Sequence, residues 1–540
     1  MLLLCPIPIK KGHAVNFLNS SGEDSHPDCN HTKSREKPMA IFGSGLIDIH
    51  SLSRNKIMSI LALAKDLKEA LLARDVPRYK LCRDRDLLVA LLFYENSTRT
   101  RSSFEIAALR LGLELTGFGS IEGSSVKKGE SLAHTLDMFD AYQCDAIILR
   151  HPLDGAAKQA AERVGIPVFN AGDGKHQHPT QTILDLFTIL ERHGRLDNLQ
   201  IGLSGDLKYG RTTHTLALAL SLFSGNTLHL NSPPNLPMPS SIIELARTRG
   251  TEVVIHNSLE EMVPDLDIFY QTRIQRERMP DPMEYEVAKK AGIFTMELMN
   301  RTKKGFGLMH PLPIDKAMPG ILPELDAHPN SIYKIQAGNG VPTRMAQLAL
   351  ALGLAAESVT DEEPVAAIPG GFCKTLPVVT KPVREGVSIR PIRDRGVVID
   401  HLRPYSESIL ARLLKLEERA DVYRSATVRS VKRPDNIKGM LMIEDRDLTE
   451  AELSMVASVS PGARVNRIVN SRVIEKLELQ LPLTIEGIES LHCPNAGCIS
   501  RPEHMEHVAP RFDKIGEDMV ACSYCDHIMT TRELFASISK

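Results

Sequence analysis

From about residue 46 onward, short apolar runs alternate with stretches whose apolar positions recur at helical spacing. Runs at 87–94, 146–149, 168–170, 199–203, 253–256, 268–270, 306–309 and 333–336 predict strands. Stretches such as 56–72 and 180–192 predict helices between them. Alternation of this kind indicates parallel sheets covered by helices. It continues long enough for two α/β, doubly wound domains, at 43–185 and 186–354, with a boundary near 181–195. A final helix at 343–354 is expected to pack back on the first domain.

The pattern then changes. Residues 355–386 carry Asp361-Glu-Glu-Pro364, Pro369-Gly-Gly371 and Pro377-Val-Val-Thr-Lys-Pro382, the chemistry of an extended linker. Strands at 396–402 and 427–431 with helices at 409–416 and 449–459 predict an α+β domain over 387–482. Residues 483–540 predict a small β domain organised by cysteines. Residues 1–42 show no sustained period and are rich in Ser, Asn, His, Asp and Lys. They are expected to be a disordered extension, with Met39 an alternative start.

Composition narrows the function. A chain of 540 residues exceeds one core. A net charge of -2 argues against a general nucleic-acid binder, so any anion site must be locally focused. No apolar run approaches the roughly 18 residues of a membrane span. The apolar start at Met1 is broken by Pro6 and Pro8 and is too short for a signal peptide, so a cytoplasmic protein is expected. Of nine cysteines, four form two close pairs, Cys493/Cys498 and Cys522/Cys525, which looks like a metal site in a reducing compartment. Two thiolate pairs on two turns suit one tetrahedral, structural Zn²⁺.

The run at 87–94 leads into Glu95-Asn-Ser-Thr-Arg-Thr-Arg101, after which Phe104, Ala107, Ala108 and Leu111 mark one face of a helix. The segment Ser97–Thr100 therefore opens a helix directly after a buried strand. Unpaired N–H groups, the positive end of the helix dipole, three hydroxyls and the Arg99 fork all suit a phosphate there.

The string Phe93-Tyr-Glu-Asn-Ser-Thr-Arg-Thr-Arg101 resembles the carbamoyl phosphate loop of the aspartate and ornithine carbamoyltransferases. Leu149-Arg-His-Pro152, Asn170-Ala-Gly-Asp-Gly174 with His178-Pro-Thr-Gln181, Gly205-Asp-Leu-Lys-Tyr-Gly-Arg211 and His310-Pro-Leu-Pro313 match that family in order. The resemblance implies a carbamoyl phosphate domain and an amino-acid domain, active as a trimer. It implies that Ser97, Thr98, Arg99 and Thr100 hold phosphate. It gives Thr100, Arg150 and His178 the carbamoyl oxygen, Gln181 the carbamoyl nitrogen, and the Leu312 backbone both substrates. It also implies that the loop around Ser124-Ser-Val-Lys-Lys128 crosses into a neighbouring subunit, delivering Lys128 and either Ser124 or Ser125.

The second substrate separates the family's two branches. Two carboxylates need two fixed cations, and the resemblance gives Arg211 the α-carboxylate and Arg273 with Gln275 the β-carboxylate of L-aspartate. Ornithine enzymes carry His-Cys-Leu-Pro where this chain has His310-Pro-Leu-Pro313. Ile314 departs from the arginine many relatives carry there. Glu95 resembles a glutamate that pairs with Arg211 and Arg278 on domain closure.

Beyond residue 387, Gly396-Val-Val-Ile-Asp-His-Leu402, Val465-Asn-Arg-Ile468 and Cys493-Pro-Asn with Cys498-Ile-Ser500 resemble the regulatory chain of aspartate carbamoyltransferase. The resemblance implies a fused regulatory domain whose Asp400, His401 and Lys476 match contacts to ATP or CTP, and a zinc domain held by Cys493, Cys498, Cys522 and Cys525. Met442 stands where the family has a lysine, with Lys438 four residues away. Together the motifs imply carbamoyl transfer to aspartate, early in pyrimidine biosynthesis, with no organic cofactor and no nucleic-acid or membrane partner. The alternatives are a relative acting on another amine and a catalytically silent assembly or sensor protein, which would be expected to carry a damaged phosphate loop.

Overall fold

A computed structural model describes residues 43–274, 283, 288, 292–316, 319–356, 371–378, 392–429, 437–536 and 538. The expected extension at 1–42 lies outside the described residues. Four sheets account for the strands.

The first sheet holds β1 (Gly45–Leu46), β2 (Leu88–Phe93), β3 (Glu114–Phe118), β4 (Ala146–His151) and β5 (Val168–Asp173), in the order β1-β5-β4-β2-β3. Every pairing is parallel. The interior strand β2, Leu-Val-Ala-Leu-Leu-Phe, is apolar throughout because both its faces are covered. The second sheet holds β6 (Gln200–Ser204), β7 (Thr227–Asn231), β8 (Glu252–Ile255), β9 (Ile268–Gln271) and β10 (Gly307–Met309), in the order β10-β9-β6-β7-β8, also parallel. Helix Pro179–His193 connects the two sheets, with Pro179 in its first turn, where a missing N–H costs nothing. Helix Gly340–Ala351 packs against helices Arg54–Leu72 and Thr98–Leu111 of the first unit. The expected helix at 343–354 thus begins three residues earlier.

One expected strand is corrected. Residues 333–336 belong to helix Tyr333–Gly338. Tyr333 and Gln336 are buried while Ile335 is 54% exposed, a spacing of three that a strand cannot produce. Strands β3 and β7 were not expected. The first is an exposed edge bearing Glu114, Thr116 and Gly117, and the second alternates leucine with buried polar residues, so neither reads as an apolar run.

The third sheet is antiparallel and six-stranded: β11 (Cys373–Thr375), β12 (Arg395–Leu402), β13 (Tyr423–Arg429), β14 (Ile437–Glu444), β15 (Arg464–Val469) and β16 (Arg472–Leu479). Strand β11 lies inside the stretch expected to be a linker. It is a fully exposed edge pairing with β16, and exposure leaves no apolar signature. Helices Glu407–Leu413 and Glu450–Val459 cover this sheet, the second opened by a Thr449–Glu452 capping box. The fourth sheet joins β17 (Thr484–Ile485), β18 (Phe512–Lys514), β19 (Met519–Cys522) and β20 (Ile528–Thr530). One apolar cluster runs from Leu92, Ile147 and Ala160 on the first sheet's outer side to Val397 and Leu441 of the third and Phe512 of the fourth. Among the described residues no helix is long and apolar enough to cross a membrane.

Candidate active site

In parallel sheets ligand contacts gather beyond the carboxyl ends of the strands. Here β2 ends just before Glu95, β4 ends in Arg150-His151, and β5 leads to His178. In the second sheet β6 leads to Arg211, β9 to Arg273 and β10 to His310. All six ends open on one cavity of about 890 Å³. Its lining includes Glu95, Ser97, Thr98, Arg99, Thr100, Arg150, His178, Gln181, Arg211, Arg273, His310, Leu312 and Arg344. The expected phosphate, carbamoyl and first-carboxylate residues therefore come together.

Helix Thr98–Leu111 begins at the cavity wall, with Ser97 extended ahead of it. Its first N–H groups have no intrahelical partner and form the positive, anion-attracting end of the helix dipole. Among the described residues five arginines line the cavity, and the single carboxylate in that lining is Glu95. Glu95 lies 3.2 Å from Arg150 and 3.7 Å from Arg211. Arg150 donates to the Ala171 carbonyl at 3.0 Å and Arg211 to the Gly174 carbonyl at 2.6 Å, so the forks are aimed by the end of β5 and the turn after it.

The crowd of cations sets the ionisation. Burial and the Arg150 charge bring the Arg211 guanidinium down to about 10, against the pull of Glu95. Burial brings Arg344 down to about 9, with Asp185 opposing. Burial and then Arg211, Arg150 and Arg344 hold His178 well below an ordinary histidine. Burial, with Arg99 and Arg273, drops His310 to about 3. Both imidazoles are thus neutral donors and acceptors at neutral pH. His310 Nδ1 accepts the Leu312 N–H at 2.8 Å, and Leu312 takes a left-handed φ of 56°. That conformation costs about 1–3 kcal/mol in a non-glycine residue. Ile314 packs against the apolar cluster around Phe294 and Phe306, which accommodates an aliphatic side chain there.

Two residues of the site were not singled out from the sequence. Asp185 is fully buried on helix Pro179–His193 and takes hydrogen bonds from Gln181 (2.9 Å), Gln336 (2.7 Å) and Tyr270 (2.9 Å). Burial pushes its carboxyl up to about 7 despite those donors. Arg344 donates to the Ser103 hydroxyl at 2.6 Å and stacks over Phe104. The available signal was a charge inside an apolar helical stretch, Ile183-Leu-Asp-Leu-Phe187 and Thr343-Arg-Met345.

Other expected residues lie elsewhere. Partly exposed Ser124, between two 3₁₀ turns, and exposed Lys128, on the second of them, lie outside this cavity. The Ser124 hydroxyl donates to the Ile121 carbonyl, and that of Ser125 is engaged by Glu130. Gln275 and Arg278 lie outside the described residues. In the third sheet, Lys476, Asn466, Val398 and Met442 form one row across four strands. Lys438 Nζ approaches Asp400 at 2.5 and 2.8 Å, and the His401 ring lies 3.1 Å from the same carboxylate. Asp400, His401 and Lys438 therefore cluster, with Lys476 at the far end of the row.

The four cysteine sulfurs lie within 4.8 Å of one another, all buried. Cys493 and Cys525 are 3.6 Å apart, and Cys498 and Cys522 3.7 Å. A tetrahedral ion with Zn–S bonds of about 2.3 Å needs sulfur separations of roughly 3.8 Å, so this donor set fits.

Comparison with known proteins matches four stretches of the chain. The carbamoyl-phosphate-binding domain of the aspartate/ornithine carbamoyltransferases matches residues 45–191, and the Asp/Orn-binding domain matches 197–351. The allosteric and metal-binding domains of the aspartate carbamoyltransferase regulatory chain match 387–480 and 483–535. The aspartate carbamoyltransferase catalytic subunit of Thermococcus onnurineus is 47% identical over 313 residues, covering 58% of this chain and 98% of that protein. The corresponding subunit of Methanosarcina barkeri is 46% identical over 316 residues, covering 58% and 99%. Among solved structures, the M. jannaschii aspartate transcarbamoylase catalytic subunit is 41% identical with a TM-score of 0.53, covering 57% of this chain and 98% of its own. The Trypanosoma cruzi enzyme in complex with carbamoyl phosphate and aspartate is 32% identical with a TM-score of 0.54, covering 58% and 97%.

Proposed function

The chain belongs to the aspartate/ornithine carbamoyltransferase family and carries a regulatory chain fused behind the catalytic part, and we propose that it transfers the carbamoyl group of carbamoyl phosphate to L-aspartate. The observation that carries this is the convergence, among the described residues, of five arginines and a helix N-terminus on a cavity lined by one carboxylate. Such a cleft suits a phosphoryl donor and a dicarboxylic acceptor together. The relatives named above are aspartate enzymes, and the ornithine-type His-Cys-Leu-Pro is absent at 310–313.

The roles proposed here are those the family resemblance implies, and the residue types suit them. Ser97, Thr98, Arg99 and Thr100 hold the phosphate. Thr100, Arg150 and neutral His178 donate to the carbonyl oxygen, Gln181 meets the carbamoyl nitrogen, and the Leu312 backbone meets both substrates. The aspartate amine bonds to the carbonyl carbon as the carbon–oxygen bond to phosphate breaks, and the amine's proton passes to the leaving phosphate. Negative charge grows on both oxygens, where losing one fixed donor typically costs about 10²–10³ in rate. Arg211 takes the α-carboxylate, and Arg273 with Gln275 the β-carboxylate. Glu95 pairs with Arg211 and Arg278 as the domains close. Lys128 and Ser124 complete the site of a neighbouring subunit in a trimer. The product, carbamoyl aspartate, belongs to an early step of pyrimidine biosynthesis in the cytoplasm.

The four cysteines hold one structural Zn²⁺ per chain. Asp400, His401 and Lys476 bind a nucleoside triphosphate with the anion side weakened at Met442. Titration of ATP and CTP into the purified protein tests this by heat of binding. The main reading is tested by assaying carbamoyl aspartate formation against carbamoyl ornithine formation. Aspartate is expected to be the preferred acceptor. Equal or greater activity on ornithine, or none on either, would sink the reading.

A further inference from the structure

The end of β5 and the turn leading from it to helix Pro179–His193 form a tight strap, residues 170–178, ending at His178. Its front side aims the cleft: the Ala171 carbonyl holds Arg150 and the Gly174 carbonyl holds Arg211. Asp173 knots it internally, taking the Gln177 N–H at 3.1 Å and the Asn170 side chain at 3.0 Å. What braces the strap from behind comes from the cysteine-rich sheet.

Asp526 follows Cys525 in a left-handed turn, φ 56°, that an aspartate tolerates. Its Oδ2 lies 2.7 Å from His176 Nε2 and accepts the Gln177 side-chain amide at 2.9 Å. The other ring nitrogen of His176 lies 3.0 Å from Asp173 Oδ2. His50 approaches the same Asp526 oxygen at 3.5 Å. Although burial opposes it, the flanking Asp173 and Asp526 carboxylates hold His176 protonated. A charged imidazole thus clamps the strap between a carboxylate of the catalytic part and one of the regulatory part. Asp526 itself stands outside the cavity and touches neither proposed substrate position.

We infer that Asp526 is a positioning residue for the transfer reaction, acting through His176 and Gln177 on the strap that places His178, Arg150 and Arg211. This rests on the carbamoyl-transfer reading given above. Because both parts belong to one chain, every cleft is made with its brace. The metal-binding domain thereby does more than tether the third sheet. It sets the geometry of the acceptor side of the cleft.

The test uses the full-length, zinc-loaded protein and three variants, Asp526→Ala, Asp526→Glu and His176→Ala, with zinc content and assembled mass measured in each. Asp526→Ala is expected to keep both and to lose about 10-fold to 100-fold in kcat, the cost of a small misplacement at a distance. The KM for aspartate, held by Arg211, is expected to rise, while the KM for carbamoyl phosphate, held by residues 97–100, changes less than about twofold. Asp526→Glu is expected to restore much of the loss. Combining Asp526→Ala with His176→Ala should be no worse than either alone, since both cut one path. Overturning results are Asp526→Ala kinetics within about twofold of wild type, or a loss that tracks zinc or mass and is not rescued by Asp526→Glu. A wild-type protein that makes no carbamoyl aspartate overturns the parent reading as well; an active wild type with an indifferent Asp526→Ala overturns this inference alone.

Discussion

Arginine and lysine are not interchangeable where cations crowd a buried cleft. Arg344, brought down to about 9 by burial, remains charged at neutral pH because a guanidinium starts from 12.5. A lysine starts from about 10.4, so the same environment would leave it near about 7. The sign is then fixed: the lysine is charged below that value and loses its charge as pH rises through it. Arg344→Lys is therefore expected to lose activity between about pH 6 and about pH 8, a window in which the wild-type guanidinium, at about 9, stays mostly charged. Parallel pH–rate profiles check this, and matching profiles would contradict the assignment of Arg344 to the cleft's charge. His178 gives a second expectation of opposite character. Burial and three arginines keep it neutral, so its ring resonances should not titrate between about pH 8 and about pH 6. A midpoint in the ordinary histidine range would show that the cations do not face it.

At the scale of elements, the metal-binding unit also reaches the loop proposed to serve a neighbouring subunit. Glu506 Oε2 accepts the N–H of Leu132 at 2.8 Å, in the first turn of helix Leu132–Ala141. That helix follows the exposed turns of Ser124 and Lys128, and Ser131 caps it from within by taking the His134 N–H. Removing an acceptor from an orphan helical N–H costs about 1 kcal/mol. Glu506→Ala is expected to speed hydrogen exchange across 124–135 and leave 98–111 unchanged. Uniform acceleration across both would mean general loosening and not a lost cap. The elements also show where sequence reading succeeds. The 97–101 loop, the strand before it and the helix after it were legible because a fully apolar strand, hydroxyls and an amphipathic face follow in strict order. Cys493 to Cys525 were legible because ligand spacing is local. Helix Tyr333–Gly338 was not, since one short turn offers only Tyr333 and Gln336 as buried markers, and one of them is polar. Asp185 was hidden for a related reason: its partners Tyr270 and Gln336 are 85 and 151 residues away, so nothing near it in the chain announces them.

The whole molecule raises the question of which chain completes each cleft. Arg99 lines the cavity, whereas Lys128 stands outside it on an exposed turn of the same chain. If Lys128 acts, it acts on a site built around another chain's Arg99. Closed cyclic assemblies give every subunit one neighbour on that side, so the two residues can be separated by mutation onto different chains. Arg99→Ala alone and Lys128→Ala alone are each expected to be nearly inactive, because every site then lacks one of the pair. When the two proteins are dissociated and reassembled together in equal amounts, a site is intact only if its own chain carries Arg99 and its neighbour carries Lys128. Random assembly makes that combination in about one quarter of sites. Recovery to about a quarter of wild-type activity, rising with the time allowed for subunit exchange, is the expected outcome. A mixture that stays at the level of its components, although its mass shows hybrid formation, would confine each site to one chain and leave Lys128 without a catalytic part.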